Sequence, residues 1–346
     1  MPKSRFLFTA DDAGVVPQID NAIIDLANRG ILTSTEVLPN YGEEGKKSVF
    51  NATRILDETA VHGKQLELGI HLTITSGGPV NPKSKQGLAP ILTEDGKSFV
   101  SYRDFGSNAN IQSLYEEIEM QAEILLSNDR LKEKITHITN HHDALWFYPE
   151  YTKQLVKLSN KLGLPIRNTR TRPDVKGWIY YVFQNTVRDI SKADKELIAA
   201  AYDLRQSGHF PGQDLKFKST TYMDNRHYNV LDLWDTVDPR DARSIIRGKK
   251  RKLRKMFNAA KDFAKETGQE NSVEFMFHIR KGKILQYEGI EDLPYYNGIS
   301  PKYFDGRTME YRSLRDNANF IRRMLDKDEF DLMTWADCKP IVLERK

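Results

Sequence analysis

The chain has 346 residues, 39% of them hydrophobic, which is enough to bury a large core as one barrel-sized domain with insertions or as two ordinary domains. Its 52 basic and 48 acidic residues leave a net charge of only +4, so it carries no overall polyelectrolyte signature of nucleic-acid binding. No apolar run of about 18 residues could span a membrane, the N-terminus enters a strand without a signal-like segment, and the single Cys338 excludes an intramolecular disulfide framework. A single-domain cytoplasmic protein over residues 1–346 is the expectation.

In chain order, Phe6 to Thr9 reads as a strand. The helix after it carries Ile19, Ala22, Ile23, Leu26 and Ala27 on one stripe and stops at Gly30. Thr33 to Leu38 and Leu66 to Ile74 are the next strands. Residues 76–110 hold Gly77, Gly78, Pro79, Pro82, Gly87, Pro90 and Gly96; no helix opens directly after the glycines, so this is a long loop, a wall or lid over a site, rather than a phosphate cradle. Ile111, Leu114, Tyr115, Ile118, Ala122 and Leu125 define an amphipathic helix, and the alternating run Ile135 to Asn140 is a strand. Pro149 suits the first turn of a helix that stops at Gly163, and Ile166 to Thr171 follows as a strand. Residues from about 173 to 245 keep no clean period and read as an insertion.

The run Arg247 to Lys255 is strongly basic and is followed at helical spacing by Met256, Phe257, Ala260, Phe263 and Ala264. It reads as the solvated face of an amphipathic helix, ahead of anionic-substrate steering or nucleic-acid binding. Glu274 to His278 and Asp331 to Trp335 are the last two strands. Strand-helix alternation with polar groups at strand ends predicts an α/β fold, a distorted, TIM-like (β/α) barrel with insertions. An open doubly wound sheet is the alternative, and it would concentrate the site at one crevice. The chain has no Gly-x-Gly-x-x-Gly, Walker sequence, internal repeat or Gly-x-Ser-x-Gly elbow.

Three strand ends carry the chemistry. Asp11-Asp12 sits where the first strand opens into Ala13-Gly14, so one carboxylate is available for a metal while its neighbour takes a proton. Capping the following helix is the plainer role for such a pair. His71 ends the Leu66 strand, and the third site is Thr136-His137-Ile138-Thr139-Asn140-His141-His142-Asp143. A lone histidine on an apolar strand is usually a satisfied core residue. Together, an Asp and two His side chains suit a borderline divalent ion such as zinc, cobalt or nickel, with positions left open for water.

Thr9-Ala10-Asp11-Asp12-Ala13-Gly14, Arg29-Gly30-Ile31-Leu32-Thr33-Ser34-Thr35, Leu68-Gly69-Ile70-His71-Leu72-Thr73 with Gly78-Pro79-Val80, and Thr136 to His142 resemble the successive signatures of the YdjC-like carbohydrate deacetylases. The resemblance covers residues 4 to about 172 and returns at Glu274-Phe275-Met276-Phe277-His278 and Tyr311-Arg312-Ser313-Leu314. It implies a distorted barrel related to the polysaccharide deacetylases and one divalent ion, zinc or magnesium, on Asp12, His71 and His141. The chain departs from the family pattern in two places. Thr139, Asn140 and Asp143 stand where the third motif usually has Asp, Ser and a last His, and Ile279 follows His278 where Pro is usual.

The reaction so implied is removal of an N-acetyl group from a sugar or oligosaccharide, phosphorylated or not. Asp11 is expected as general base and His278 as general acid for the leaving amine. Arg167, Arg170 and Arg172 are candidate substrate contacts, since guanidinium matches phosphate bidentately; surface ion pairs are their plain reading. A homodimer is compatible with this picture, and a membrane or nucleic-acid partner is not expected. The competing readings are another metal-dependent hydrolase on the same barrel and a catalytically silent sugar-binding protein.

Overall fold

Changes of residue period mark many of the elements of the computed structural model, which describes residues 4–60, 66–101, 106–167, 218–219, parts of 250–261, 271–282, 301–327, 330–337 and 341–342. The elements are β1 (Ser4–Ala13), α1 (Pro17–Asn28), β2 (Ser34–Val37), α2 (Lys46–Ala60), β3 (Glu67–Leu72), α3 (Lys85–Leu88), α4 (Ile111–Leu126), α5 (Asp129–Lys132) and β4 (Ile135–Asn140). They continue with α6 (Pro149–Leu162), β5 (Lys218–Ser219), β6 (Asn271–Phe277), α7 (Pro301–Asp316), α8 (Ala318–Leu325), β7 (Phe330–Leu332) and β8 (Ile341–Val342). The main sheet has the order β4-β3-β2-β1-β6, with β7 also paired to β1. β1 is parallel to β2, β6 and β7. This is a parallel-strand sheet with flanking helices, of the α/β class the sequence predicts. No described helix is long and apolar enough to cross a membrane.

The chain divides into two compact units. One holds Met1–Val37, Phe50–Leu68 and Thr221–Cys338, the other Leu38–Val49, Gly69–Thr220 and Lys339–Lys346. The insertion read at about 173–245 lies outside the described residues apart from β5.

In the first unit β1 has two unlike faces. Its register sets Phe8 beside Phe275 and Ala10 beside Phe277. Residues two apart on a strand share a face. Phe6, Phe8, Phe275 and Phe277 therefore gather on one side, with centroid separations of 5.4 Å for Phe6–Phe275, 5.0 Å for Phe8–Phe275 and 5.9 Å for Phe8–Phe277. Phe257 and Phe330 complete this layer, 4.7 Å and 5.4 Å from Phe6. Phe257 comes from the stretch after the basic run, where Leu253 and Phe257 are buried and Lys250, Arg251 and Arg254 are exposed, as an amphipathic helix requires. The other face is mixed: Leu7 clusters with Met333 and Trp335, while Thr9 pairs with Ser34, and Thr9, Ser34 and Glu36 are all buried.

The last predicted strand is shorter than Asp331 to Trp335. β7 ends at Leu332, because the Glu67 carboxylate takes the Trp335 and Ala336 amides at 2.5 and 3.1 Å and turns the chain out of the sheet. Two long helices escape the apolar-period reading. In α7 buried Asp305, Arg307 and Glu310 are interleaved with buried Met309, Tyr311 and Leu314, so the inner face shows no clean hydrophobic stripe. α2 is the other, although Gly42 and Gly45 stand before it.

In the second unit, α4 packs on α6. Asn110 caps α4 by accepting the Ser113 amide at 3.0 Å, and Gly163 ends α6 in the left-handed conformation at φ +68°. Ile166 pairs with Ile138 in a parallel bridge; residues 168–171 of the strand expected there lie outside the described set. The loop after β3 is folded rather than loose, with α3, a 3-10 turn at Ala89–Ile91 and an antiparallel bridge between Leu92 and Phe99. The aromatic layer makes a direct prediction: Phe8→Ala should lower the unfolding free energy by about 3–5 kcal/mol, read by denaturant titration.

Candidate metal centre

Asp11 and Asp12 lie inside β1 rather than at a helix cap. Helix α1 is entered from Val16, in extended conformation, with Pro17 in its first turn. The backbone explains how two adjacent carboxylates can serve one locale. Ala10 faces Thr35 and Ala13 faces Val37, so β1 spends one more residue than β2 over this stretch. Such a bulge re-aims a side chain that strict alternation would send to the opposite face. Asp12 is its strained point, at φ +70°, a conformation aspartate tolerates better than most residues. The turn is then pinned: Thr35 Oγ1 donates to the Ala10 carbonyl at 2.7 Å, Gly14 N–H to Asp20 Oδ1 at 2.9 Å, and Asn51 Nδ2 to the Gly14 carbonyl at 3.1 Å.

Asp12 is fully buried, as is its partner Arg307, whose Nη2 donates to Asp12 Oδ2 at 2.5 Å. The guanidinium offsets the desolvation that a buried carboxylate would otherwise suffer. Arg307 sits 295 residues downstream, and no local signal in the sequence marks it. His278 follows β6 directly. The register pairs Phe277 with Ala10, and His278 is the first residue beyond that ladder. His278 is half-buried, and its backbone N–H donates to Glu310 Oε2 at 3.1 Å.

His71 and His141 are both buried, and a chain of contacts orients them. Thr139 Oγ1 donates to the Ile70 carbonyl at 3.4 Å and lies 2.6 Å from His71 Nδ1. Either tautomer of His71 can share the Thr139 contact, which holds the ring with its Nε2 3.2 Å from His141 Nδ1. Thr139 thus contacts His71 from the place where the family motif usually has Asp. Asn140 has a separate contact: its Oδ1 accepts the Leu145 amide at 3.0 Å. Next in the chain, His142 and Asp143 both have positive φ, 56° and 54°, which turns the His142 ring over His141, centroids 3.7 Å apart, with Nδ1 3.1 Å from Thr75 Oγ1.

Asp12 in one unit and His71 and His141 in the other are all buried, and all are of the kinds that could hold a metal ion. Zinc-nitrogen bonds of about 2.0–2.1 Å in tetrahedral geometry place two nitrogens about 3.3 Å apart. The observed His71–His141 spacing of 3.2 Å fits that requirement. Among the predicted substrate contacts, Arg167 is buried and its N–H donates to the Ile138 carbonyl at 2.8 Å, which sets it alongside Thr139. Arg170 and Arg172 lie outside the described residues.

The model of the YdjC-like protein family matches residues 5–279. The chain belongs to this family. Among its relatives, a carbohydrate deacetylase of Enterococcus faecalis is 25% identical over 183 residues, which is 52% of this chain and 64% of that protein. A carbohydrate deacetylase of Vibrio campbellii is 26% identical over 167 residues, 48% of this chain and 59% of that one. The chain thus spans about three fifths of the length of these curated relatives. A crystal structure from Enterococcus faecalis, described as a candidate cellobiose-phosphate cleavage protein, shares the fold at a TM-score of 0.58 and 18% identity, over 96% of this chain and 98% of that one.

The Thr139 contact can be tested in isolation. Thr139→Val keeps the shape of the side chain and removes the His71 partner, and metal affinity should fall about 10- to 100-fold, read by competition with a chromophoric chelator.

Proposed function

We propose that this YdjC-like chain is a metal-dependent carbohydrate deacetylase that removes the N-acetyl group from an N-acetylated sugar. The observation that carries the reading is that Asp12, His71 and His141 are buried and of the kinds that could hold a metal ion, in a chain whose family includes relatives named carbohydrate deacetylase. The ligand set of one carboxylate and two imidazoles suits zinc, with magnesium as the alternative. When bound, a divalent ion there supplies Lewis-acid polarisation of a carbonyl and a lowered pKa for water.

The chain's own residues do the rest. Asp11 takes the proton of the attacking water as its oxygen bonds to the acetamide carbon. His278, which follows β6 directly, protonates the sugar nitrogen as the carbon-nitrogen bond breaks, leaving acetate and a free amine. Arg167, with Arg170 and Arg172, contacts substrate hydroxyls or a phosphate. The sheet is proposed to close as a distorted (β/α) barrel. In support, β1 lies between β2 and the late strand β6, the neighbours a first strand has in a closed barrel.

The purified protein should hold about one divalent ion per chain by elemental analysis and release acetate from N-acetylated oligosaccharides. His71→Ala should empty the site; full occupancy in that variant overturns the ligand assignment. Metal without acetate release points instead to another metal-dependent hydrolase, and neither metal nor acetate release to a silent sugar-binding protein. The paired carboxylates separate in the same assays. Asp12→Asn should lose metal, whereas Asp11→Asn should keep it and lose turnover by roughly a hundred- to ten-thousandfold. His278→Gln, which keeps hydrogen bonding without the proton, should remove the alkaline limb of the rate profile at unchanged metal content.

A further inference from the structure

One face of α4 carries a buried polar pair that the reaction above does not use. Glu117 and Gln121 stand one helical turn apart, both fully buried, with Gln121 Nε2 donating to Glu117 Oε1 at 2.9 Å. Both side chains turn to the segment that follows β3. Gln121 grips Thr73 at both backbone groups: its Oε1 accepts the Thr73 N–H at 3.0 Å and its Nε2 donates to the Thr73 carbonyl at 2.8 Å. Glu117 holds the far end of the same segment. It accepts from Val80 N–H at 2.9 Å, Asn81 N–H at 3.0 Å and Ser84 Oγ at 3.1 Å. Burial pushes the Glu117 carboxyl above its ordinary range, while these donors pull it back.

Burying a carboxylate and an amide on a helix that could have carried leucines there is costly unless every polar atom is used. What these atoms hold is the stretch between His71 and the wall of the site. Thr73 is two residues beyond His71, and a chain leaving a sheet loses the ladder partners that had fixed it. Gln121 replaces those partners at that point. Between the two grips lies Thr75, whose hydroxyl meets His142, and Ser76, whose carbonyl accepts from Asn40 Nδ2 at 2.7 Å. The His71 ring is useful only while Nδ1 stays on Thr139 and Nε2 points toward His141. A functional group of this kind needs its backbone held to within about half an ångström.

We propose that Glu117 and Gln121 are positioning residues that set the His71 ring and the adjoining wall of the site by clamping Thr73 and residues 80–84 to α4. The part of this that concerns metal rests on the function proposed above. Gln121→Met keeps the length of the side chain and removes both bonds to Thr73. Ile118→Ala, in the same helix, loosens packing through a side chain that makes no hydrogen bond and controls for general destabilisation.

The first measurement uses the metal-free chain. Histidine-selective 15N NMR, with the His71 signal assigned from its loss in His71→Asn, should show the ring signal shifted or split in Gln121→Met. It should be unchanged in Ile118→Ala, and buried His137 should be unchanged in both. The second measurement is Co(II) affinity and its visible spectrum, where Gln121→Met should bind about 10- to 100-fold more weakly with an altered band and Ile118→Ala should match the parent. Glu117→Gln keeps the shape and one acceptor, and should give the same changes in smaller measure if Gln121→Met does not fold. A His71 signal and Co(II) affinity that respond to the α4 variants no more than to Ile118→Ala would make the pair a structural peg and overturn the proposal. A parent chain that takes up no Co(II) while its His71 signal still responds would sink the metal reading and leave the positioning role standing.

Discussion

The contact between Arg307 and Asp12 is the constraint on which the end of β1 depends. Both side chains are wholly out of water. An unpaired carboxylate at such depth would cost several kcal/mol or take up a proton. With the guanidinium on Oδ2, Asp12 can remain ionised without exposure, and an ionised, buried carboxylate is what a divalent ion requires of a ligand. The same contact ties α7 to the central strand, and Tyr311 reinforces it by donating its hydroxyl to Asp25 of α1 at 3.0 Å. Arg307, buried in α7, thus answers the charge it must meet on β1.

Around this pair the molecule sorts its chemistry by strand face. The aromatic side of β1 supplies the apolar burial that stabilises the first unit, and the opposite side carries Thr9, Ser34 and Glu36. The bulge at Asp11-Asp12 is where these layers stop obeying simple alternation. In the second unit the same economy appears in hydrogen bonds. A single threonine hydroxyl, in contact with both Ile70 and His71, holds the ring and so the direction in which its other nitrogen looks. Thr139 differs from the acidic residue usual at that place in the family. It holds the ring without the extra negative charge that would make it more basic.

Much of the scaffold was legible in the sequence. Strands β1, β2, β3 and β4 and helices α1, α4 and α6 fall where apolar period, Pro and Gly place them, because each buries one face and the period of that face is local. The N-cap alternative for Asp11-Asp12 fails because Pro17 starts α1 without them. The elements that were not legible share a cause. In α7 buried Asp305, Arg307 and Glu310 break up the apolar positions Met309, Tyr311 and Leu314, and β7 stops early because Glu67, distant in sequence, takes the amides beyond it.

The same division holds at the candidate site. By itself the sequence determined which side chains stand at strand ends, Asp11, Asp12, His71 and His141, because an apolar run and its terminus are properties of a few consecutive residues. Only the tertiary structure decided which atoms of those side chains are presented, and to what. Arg307 on Asp12, Thr139 on His71 and Gln121 on Thr73 join residues 295, 68 and 48 positions apart. Such pairings leave no periodic trace, since a hydrogen bond depends on the direction of two atoms brought together by the packing of a sheet and its helices.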